Sequence, residues 1–272
     1  MSVDAESLGA SLPPALRGRL TPLAGGHTNR CFRLDTGRGR YWLRLGCDTP
    51  ARLGIDRRVE LTAHRLAADA GLAPAIHYAR PESGLLVLDW LDELDWRQAP
   101  GTLAALMPKV ARLHGLDGAG LPLLNLAQRA GHYFAQLAAP PAWLAPLLAQ
   151  FERPELNPDF VPVPCHCDLT AGNVLGPRPW LVDWEYAALA DPAFELAVIA
   201  DDRELNDTGC AELLAHYQAA GGAVSPARLR ARLPWVQLLT LLWAMVQYQH
   251  SGAAQYQAWL EAARARLTLS LA

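Results

Sequence analysis

The run His166-Cys167-Asp168-Leu169-Thr170-Ala171-Gly172-Asn173 collects a histidine, a carboxylate and a carboxamide in one short stretch, and Asp183 follows ten residues after Asn173. Between them, Val174-Leu175 and Trp180 to Val182 are short apolar runs around Gly176-Pro177-Arg178-Pro179. That pattern predicts a hairpin, which sets Asn173 and Asp183 side by side. Carboxylate and amide oxygens are the ligands that Mg²⁺ takes alongside phosphate oxygens. Phosphoryl transfer from a nucleotide asks the protein for little covalent chemistry. It needs metal ligands, a carboxylate near the attacking hydroxyl and a cation on the phosphates. Asn173 and Asp183 suit the metal, and Asp168 suits the hydroxyl.

The same residues have plainer readings. Asp and Asn favour turns and caps wherever they occur. A phosphatase or metal-dependent hydrolase uses similar carboxylates, and ATP binding discriminates it from a kinase. Cys165-His166-Cys167 invites a zinc site, but its spacing is not the usual pair of ligands two to four residues apart, and no second pair follows nearby. These cysteines read instead as small core fillers.

Several elements must position this set. Arg30 to Leu34 and Tyr41 to Leu45 flank Asp35-Thr36-Gly37-Arg38-Gly39 and predict a hairpin. In its second strand Tyr41, Leu43 and Leu45 share one face, leaving Trp42 and Arg44 on the other. Ile55, Val59, Ala63, Leu66, Ala67 and Ala70 recur at helical spacing, with Gly71 and Pro74 as the stop. Ala75 to Ala79 and Leu85 to Leu88 form a second hairpin signal around Pro81-Glu82-Ser83-Gly84, and the acidic stretch from Asp89 to Glu93 ends it. From there the pattern is helical, as in Leu103 to His114, except for the island from Val163 to Asp183. The tail from Glu195 to Ala272 is helical, and Ala138 to Pro146 reads as a surface connection.

Taken together, His-x-Asp-x-x-x-x-Asn followed by an Asp beyond a short hairpin resembles the aminoglycoside phosphotransferase and choline kinase superfamily, relatives of the protein kinases. Asp183-Trp184-Glu185-Tyr186-Ala187, with Asp191-Pro192 and Glu195-Leu196-Ala197, is most similar to its bacterial thiamine kinase and choline/ethanolamine kinase-like branch. The resemblance runs from about Gly25 to Ala200 and more loosely through the tail. It implies an α+β, two-lobed protein-kinase-like fold. Residues 1–90 are then a small β-rich N-terminal lobe, and residues 91–272 a larger, mainly helical lobe carrying the short catalytic hairpin.

The resemblance also implies roles. Asp168 becomes the catalytic base, His166 its structural support, Asn173 and Asp183 the magnesium ligands, and Asp191 an anchor bracing the catalytic loop. Gly25, Gly26, Thr28 and Asn29 lie where the family puts its nucleotide-covering turn. Arg44 sits on the strand that normally carries the phosphate-pairing lysine, and Glu60 on the helix that supplies its partner. Arginine there is a departure, since a planar fork replaces a point-like ammonium. Asp89, Trp90 and Leu91 become the hinge whose backbone meets adenine. The implied cofactors are ATP and Mg²⁺.

The remaining features bound the answer. The chain has 272 residues, 51% of them hydrophobic and only 19% charged, so it can bury a sizeable interior. A net charge of −3 lacks the basic excess of a nucleic-acid binder. Lys109 is the sole lysine. Five cysteines without framework spacing, no basic N-terminal cap and no span of roughly 18 apolar residues predict a cytoplasmic protein without membrane contact or an obligate protein partner. No activation segment ending in Ala-Pro-Glu follows Asp183, which disfavours a protein kinase. A non-catalytic nucleotide-binding module would have a broken catalytic set, and none of Asp168, Asn173 or Asp183 is missing.

A cationic alcohol would want aromatic faces and one or two carboxylates. Glu185, Asp201, Trp235, Trp243 and Tyr248 are the candidates, although aromatic residues at helical spacing also read as core. The acidic cluster Asp201-Asp202-Arg203-Glu204 is too modest for an aminoglycoside carrying several ammonium groups. The expected acceptor is thiamine first, then choline or ethanolamine, with a sugar or aminoglycoside as the alternative.

Overall fold

The computed structural model describes residues 12–23, 29–47 and 49–271. The predicted turn glycines Gly25 and Gly26, with Thr28, lie outside the described residues, while Asn29 lies within them.

Five strands, Gly18–Leu23 (β1), Arg30–Thr36 (β2), Gly39–Leu45 (β3), Ile76–Arg80 (β4) and Leu85–Asp89 (β5), form an antiparallel sheet in the order β1-β2-β3-β5-β4. The β2–β3 hairpin pairs Thr36 with Gly39 and Arg30 with Leu45. Alternation along β3 sorts its side chains as the sequence predicts. Leu43 enters a small core with Leu12, Leu16, Phe32, Leu34 and Val87. Arg44 lies on the opposite face, toward the helix Arg57–Asp69 (α1).

The predicted helix over Ile55 to Ala70 forms, but begins two residues later. Asp56 caps it by accepting hydrogen bonds from the N–H groups of Arg58 and Val59, leaving Ile55 in the approach. The β4–β5 hairpin turns at Gly84, whose φ of 60° suits a residue without Cβ. A Cβ at Gly84 would also lie 2.7 Å from Gly46 Cα, so the chain just after β3 and this turn meet backbone to backbone.

The rest is mainly helical: Leu103–His114 (α2), Leu126–Ala135 (α3), Leu144–Ala149 (α4), Pro192–Asp202 (α5), Asp207–Ala219 (α6), Pro226–Ser251 (α7) and Ala254–Leu271 (α8). These pack around Leu106, Met107, Trp184, Leu196, Ile199 and Leu238. Two strand pairs interrupt them. Val174–Leu175 (β7) and Trp180–Leu181 (β8) form the expected short hairpin. Val163–Cys165 (β6) and Ala188–Ala190 (β9) form a pair that no local pattern predicts, because its strands are three residues long and far apart in sequence. The architecture is the two-lobed α+β fold expected. No helix among the described residues is long and apolar enough to cross a membrane, and all five cysteines are free thiols.

Replacing Gly84 with alanine combines left-handed backbone strain with a backbone clash that no side chain can relieve. It should cost about 2–3 kcal/mol, by the usual penalty for such conformations, read as a lowered urea midpoint with an unchanged slope. A loss below ~0.5 kcal/mol would contradict the close approach at Gly46.

Candidate active site

The loop after β6 carries His166, Cys167 and Asp168, and its shape is imposed from α5. Glu195 is fully buried there and takes two backbone hydrogen bonds, from His166 N–H at 2.9 Å and Cys167 N–H at 2.7 Å. Burial works against its charge, but His114, 3.9 Å away, and the His166 N–H hold the carboxyl below the usual range. A second α5 acid, Asp202, accepts from Ala171 N–H at 2.7 Å. With both ends fixed, Cys167 adopts a φ of 65°, a conformation costing a non-glycine residue about 1–3 kcal/mol. Asp183 is held likewise at 66°.

Asp168 lies beside Asn173, whose Nδ2 donates to the Asp168 backbone carbonyl at 2.8 Å and to Oδ2 at 2.9 Å. Using both amide hydrogens turns Asn173 Oδ1 the other way. Val182 N–H donates to Asn173 O at 3.0 Å, so the hairpin brings Asn173 to the strand end from which Asp183 leaves. His166 is buried between them. Its Nε2 donates to the Val182 carbonyl at 2.9 Å, and its ring lies 4.6 Å from that of Trp184. Burial holds its pKa below the usual histidine value, so the ring is a neutral strut carrying its proton on Nε2.

From the N-terminal sheet, Arg44 grips Glu60 of α1 through both guanidinium nitrogens; the Nη2 to Oε2 bond is 2.8 Å, and Nη1 bonds Oε1. Arg44 Nη1 also reaches Asp183 Oδ1 at 3.4 Å. The sequence reading missed Arg57. Its Nη1 donates to Glu60 and Glu185, both at 2.9 Å, and its Nη2 to Asn29 Oδ1 at 2.7 Å. Glu185, an acceptor candidate from the sequence, is therefore engaged with Arg57 of α1 and Asn29 beside β2. A visible signal existed, since Arg57 stands three residues before Glu60 on one helical face.

Three carboxylates, Glu60, Asp183 and Glu185, thus meet two guanidiniums, and Asp168 feels the charges of the last two. Burial, then the Asp183 and Glu185 charges, push Asp168 well above the usual carboxylate range. Burial, then Glu185, push Asp183 up to about 8, with Arg44 pulling the other way. The surplus negative charge and the oxygen donors Asn173 and Asp183 fit a hard divalent cation.

The other candidates scatter. Asp89 is turned to His77, 2.6 Å from its Nε2, and Trp90 carries the Arg40 guanidinium 5.6 Å from its ring centre; Leu91 follows beyond the end of β5. Asp191 caps α5 and binds Arg228 and Arg232, tying α5 to α7; the loop-bracing role expected of it belongs to Glu195. Asp201 is committed to Gln237 at 3.0 Å and Arg266 at 3.2 Å, which removes it from the acceptor set. Trp235 is sealed against Phe151 with its N–H on the Leu156 carbonyl, a packing residue after all. Tyr248 is exposed near the end of α7. Trp243 donates its N–H to Tyr186 Oη at 3.1 Å, next to Glu185, and stacks on Trp259 at 5.8 Å.

A paired cation and helix carboxylate on one lobe, facing an Asp-Asn loop and a second Asp on the other, define a phosphotransferase of the kinase-like type. The model of the phosphotransferase enzyme family, APH, matches residues 19–235. The chain belongs to that family and is a small-molecule kinase acting on hydroxyl acceptors. Protein LicA of Haemophilus influenzae is 25% identical over 83% of this chain and 73% of its own length. A thiamine kinase of Escherichia coli is 26% identical over 65% of this chain and 67% of its own length. The crystal structure of a choline/ethanolamine kinase family protein from Mesorhizobium loti superposes with a TM-score of 0.80 and 26% identity, covering 98% of this chain and 93% of the other.

Glu195→Ala would strand two buried N–H groups of the catalytic loop, each worth about 1–3 kcal/mol. The expected loss is about 2–5 kcal/mol in chemical denaturation. A loss under ~1 kcal/mol would mean the loop holds its shape without α5.

Proposed function

We propose that the protein transfers the γ-phosphoryl group of ATP to the hydroxyl of a small cationic alcohol, thiamine first and choline or ethanolamine second. ATP lies between an N-terminal lobe ending near residue 90 and a C-terminal lobe beginning near residue 91. The observation that carries this reading is the contact of the Arg44–Glu60 pair with Asp183 across the cleft, while Asn173 is fastened to Asp168.

In this reading Arg44 holds phosphate oxygens, with Glu60 fixing its direction. Asn173 Oδ1 and the Asp183 carboxylate hold Mg²⁺, which supplies charge neutralisation on the phosphates. Asp168 aligns the acceptor hydroxyl and takes its proton as the oxygen attacks phosphorus. ADP leaves as the new O–P bond forms, and no phospho-enzyme intervenes. The place of Asp168 beside Asn173 supports that role, with its carboxylate fixed by the Asn173 amide. His166 keeps Val182, and through it Asp183, in register with the loop.

For the acceptor, Tyr186, Trp243 and Trp259 supply aromatic faces next to the cleft carboxylates, as a quaternary or aromatic cation requires. The names of two relatives, a thiamine kinase and a choline/ethanolamine kinase family protein, point the same way. A polycationic aminoglycoside is disfavoured, because within the acidic cluster Asp201 is held by Arg266 and Asp202 by the Ala171 N–H. The free thiols agree with a cytoplasmic setting.

An ADP-release assay with Mg-ATP and a panel of thiamine, choline, ethanolamine, simple sugars and kanamycin tests the proposal. One cationic alcohol should raise turnover, and Asp168→Asn should cut kcat by about 10²–10⁴-fold, the range for a lost general base, with ATP affinity kept. Full turnover in Asp168→Asn would refute its role, and stimulation by kanamycin or a sugar alone would refute the acceptor class. Asp183→Asn should raise the Mg²⁺ concentration needed for half-maximal rate about tenfold or more, the scale of a lost carboxylate contact. An unmoved Mg²⁺ dependence would remove it as a ligand.

A further inference from the structure

We propose that Arg57 is the positioning residue that sets the nucleotide end of the cleft, an inference that rests on the ATP reading above. Its guanidinium touches parts of the protein that otherwise have no reason to hold a common geometry. Nη1 is shared between Glu60 on α1 and Glu185 on the loop after β8, at 2.9 Å each. Nη2 donates to Asn29, the residue just before β2, at 2.7 Å, and lies 3.9 Å from Cys47 Sγ just after β3. Asn29 closes the ring by donating to Glu185 at 3.0 Å and accepting from Cys47 N–H at 3.3 Å. One planar group therefore ties the start of β2, the end of β3, the first turn of α1 and the Asp183 loop together.

The setting is built for it. Arg57 is 7% exposed, and Gly46 and Gly84 leave its shaft room: a Cβ at either would come within 3.2–3.3 Å of Nε. Its place in the chain runs against local preference. It is the first residue of α1, where the helix dipole disfavours a cation, and a second arginine follows it. Tertiary partners, not helix stability, account for its presence.

The Arg57 guanidinium bonds Glu60, Glu185, Asn29 and Cys47, and none of these bonds reaches Asp168 or the aromatic group. It acts through others. Glu60 directs Arg44, and Glu185 stands two residues beyond Asp183, so a misplaced Arg57 shifts both grips on the phosphates. A lysine would keep the charge but has no fork to hold three partners at once.

Kinetics on the full chain test this with Arg57→Lys, Arg57→Met and the double variant Arg57→Met/Glu185→Gln. Arg57→Lys should fold normally and raise KM for ATP about tenfold or more, leaving the acceptor KM within about twofold, the split that separates positioning from general damage. Arg57→Met leaves Glu185 buried and unpaired and should lower Tm; adding Glu185→Gln should recover much of the Tm but not the ATP KM. If Arg57→Lys leaves ATP KM within about twofold, or moves the acceptor KM instead, the proposal is overturned. Calorimetric titration of the wild type with Mg-ATP separates the two readings. Absence of binding overturns the nucleotide reading and this inference with it, whereas wild-type binding with equal affinity in Arg57→Lys overturns this inference alone.

Discussion

The structure depends on how four acidic side chains tolerate one another in a confined space. Glu60, Asp183 and Glu185 are paired with Arg44 and Arg57, and the Asp183 and Glu185 charges bear on Asp168 beside them. Desolvating such charges costs more than their pairing commonly returns, so the network is poor evidence for stability and better evidence for specification. Each guanidinium accepts only a narrow range of partner directions. The rotation of α1, the course of β3 and the path of the Asp183 loop must therefore agree before any charge is satisfied. The residual negative potential is left for what enters the cleft.

On the opposite wall the governing element is α5. It spends Glu195 and Asp202 on backbone N–H groups of the catalytic loop, and its capping residue Asp191 on α7. Backbone contacts of this kind fix conformation independently of the loop's own side chains. They also account for Cys167, a non-glycine residue, resting in the left-handed region just before Asp168; Asp183 beyond Asn173 rests there too. Strain held at both flanks keeps Asp168 and Asn173 from relaxing into ordinary turns.

Much of this was legible from local spacing. Both N-terminal hairpins, the helix with Glu60, the strand face carrying Arg44 and the short β7–β8 hairpin follow from period and turn residues within a dozen positions. What was not legible depends on distant partners. Arg57 meets Glu185 across 128 residues, and Glu195 meets the loop across 29. The β6–β9 pair is too short to leave a pattern. Trp235 and Trp243 are indistinguishable by helical spacing, yet Phe151 seals one, while the other reaches Tyr186 and Trp259. Asp201 read as a ligand because nothing in its neighbourhood reveals Arg266, 65 residues away on α8.

Arginine at position 44 has a chemical consequence for anyone handling this protein. The chain's one lysine, Lys109, lies against Trp180 and the Gly71 carbonyl, with its ammonium 6.0 Å from the indole centre. The Arg44 end of the cleft, where the proposed reading puts the phosphates, therefore offers no lysine amine. Glu60 holds the Arg44 proton even more firmly than usual, despite the burial that opposes it. Reactive nucleotide probes that acylate a kinase's phosphate-site lysine would pass through this cleft without leaving a mark. A proteome-wide survey built on such probes would count this enzyme as absent while it was fully occupied by nucleotide.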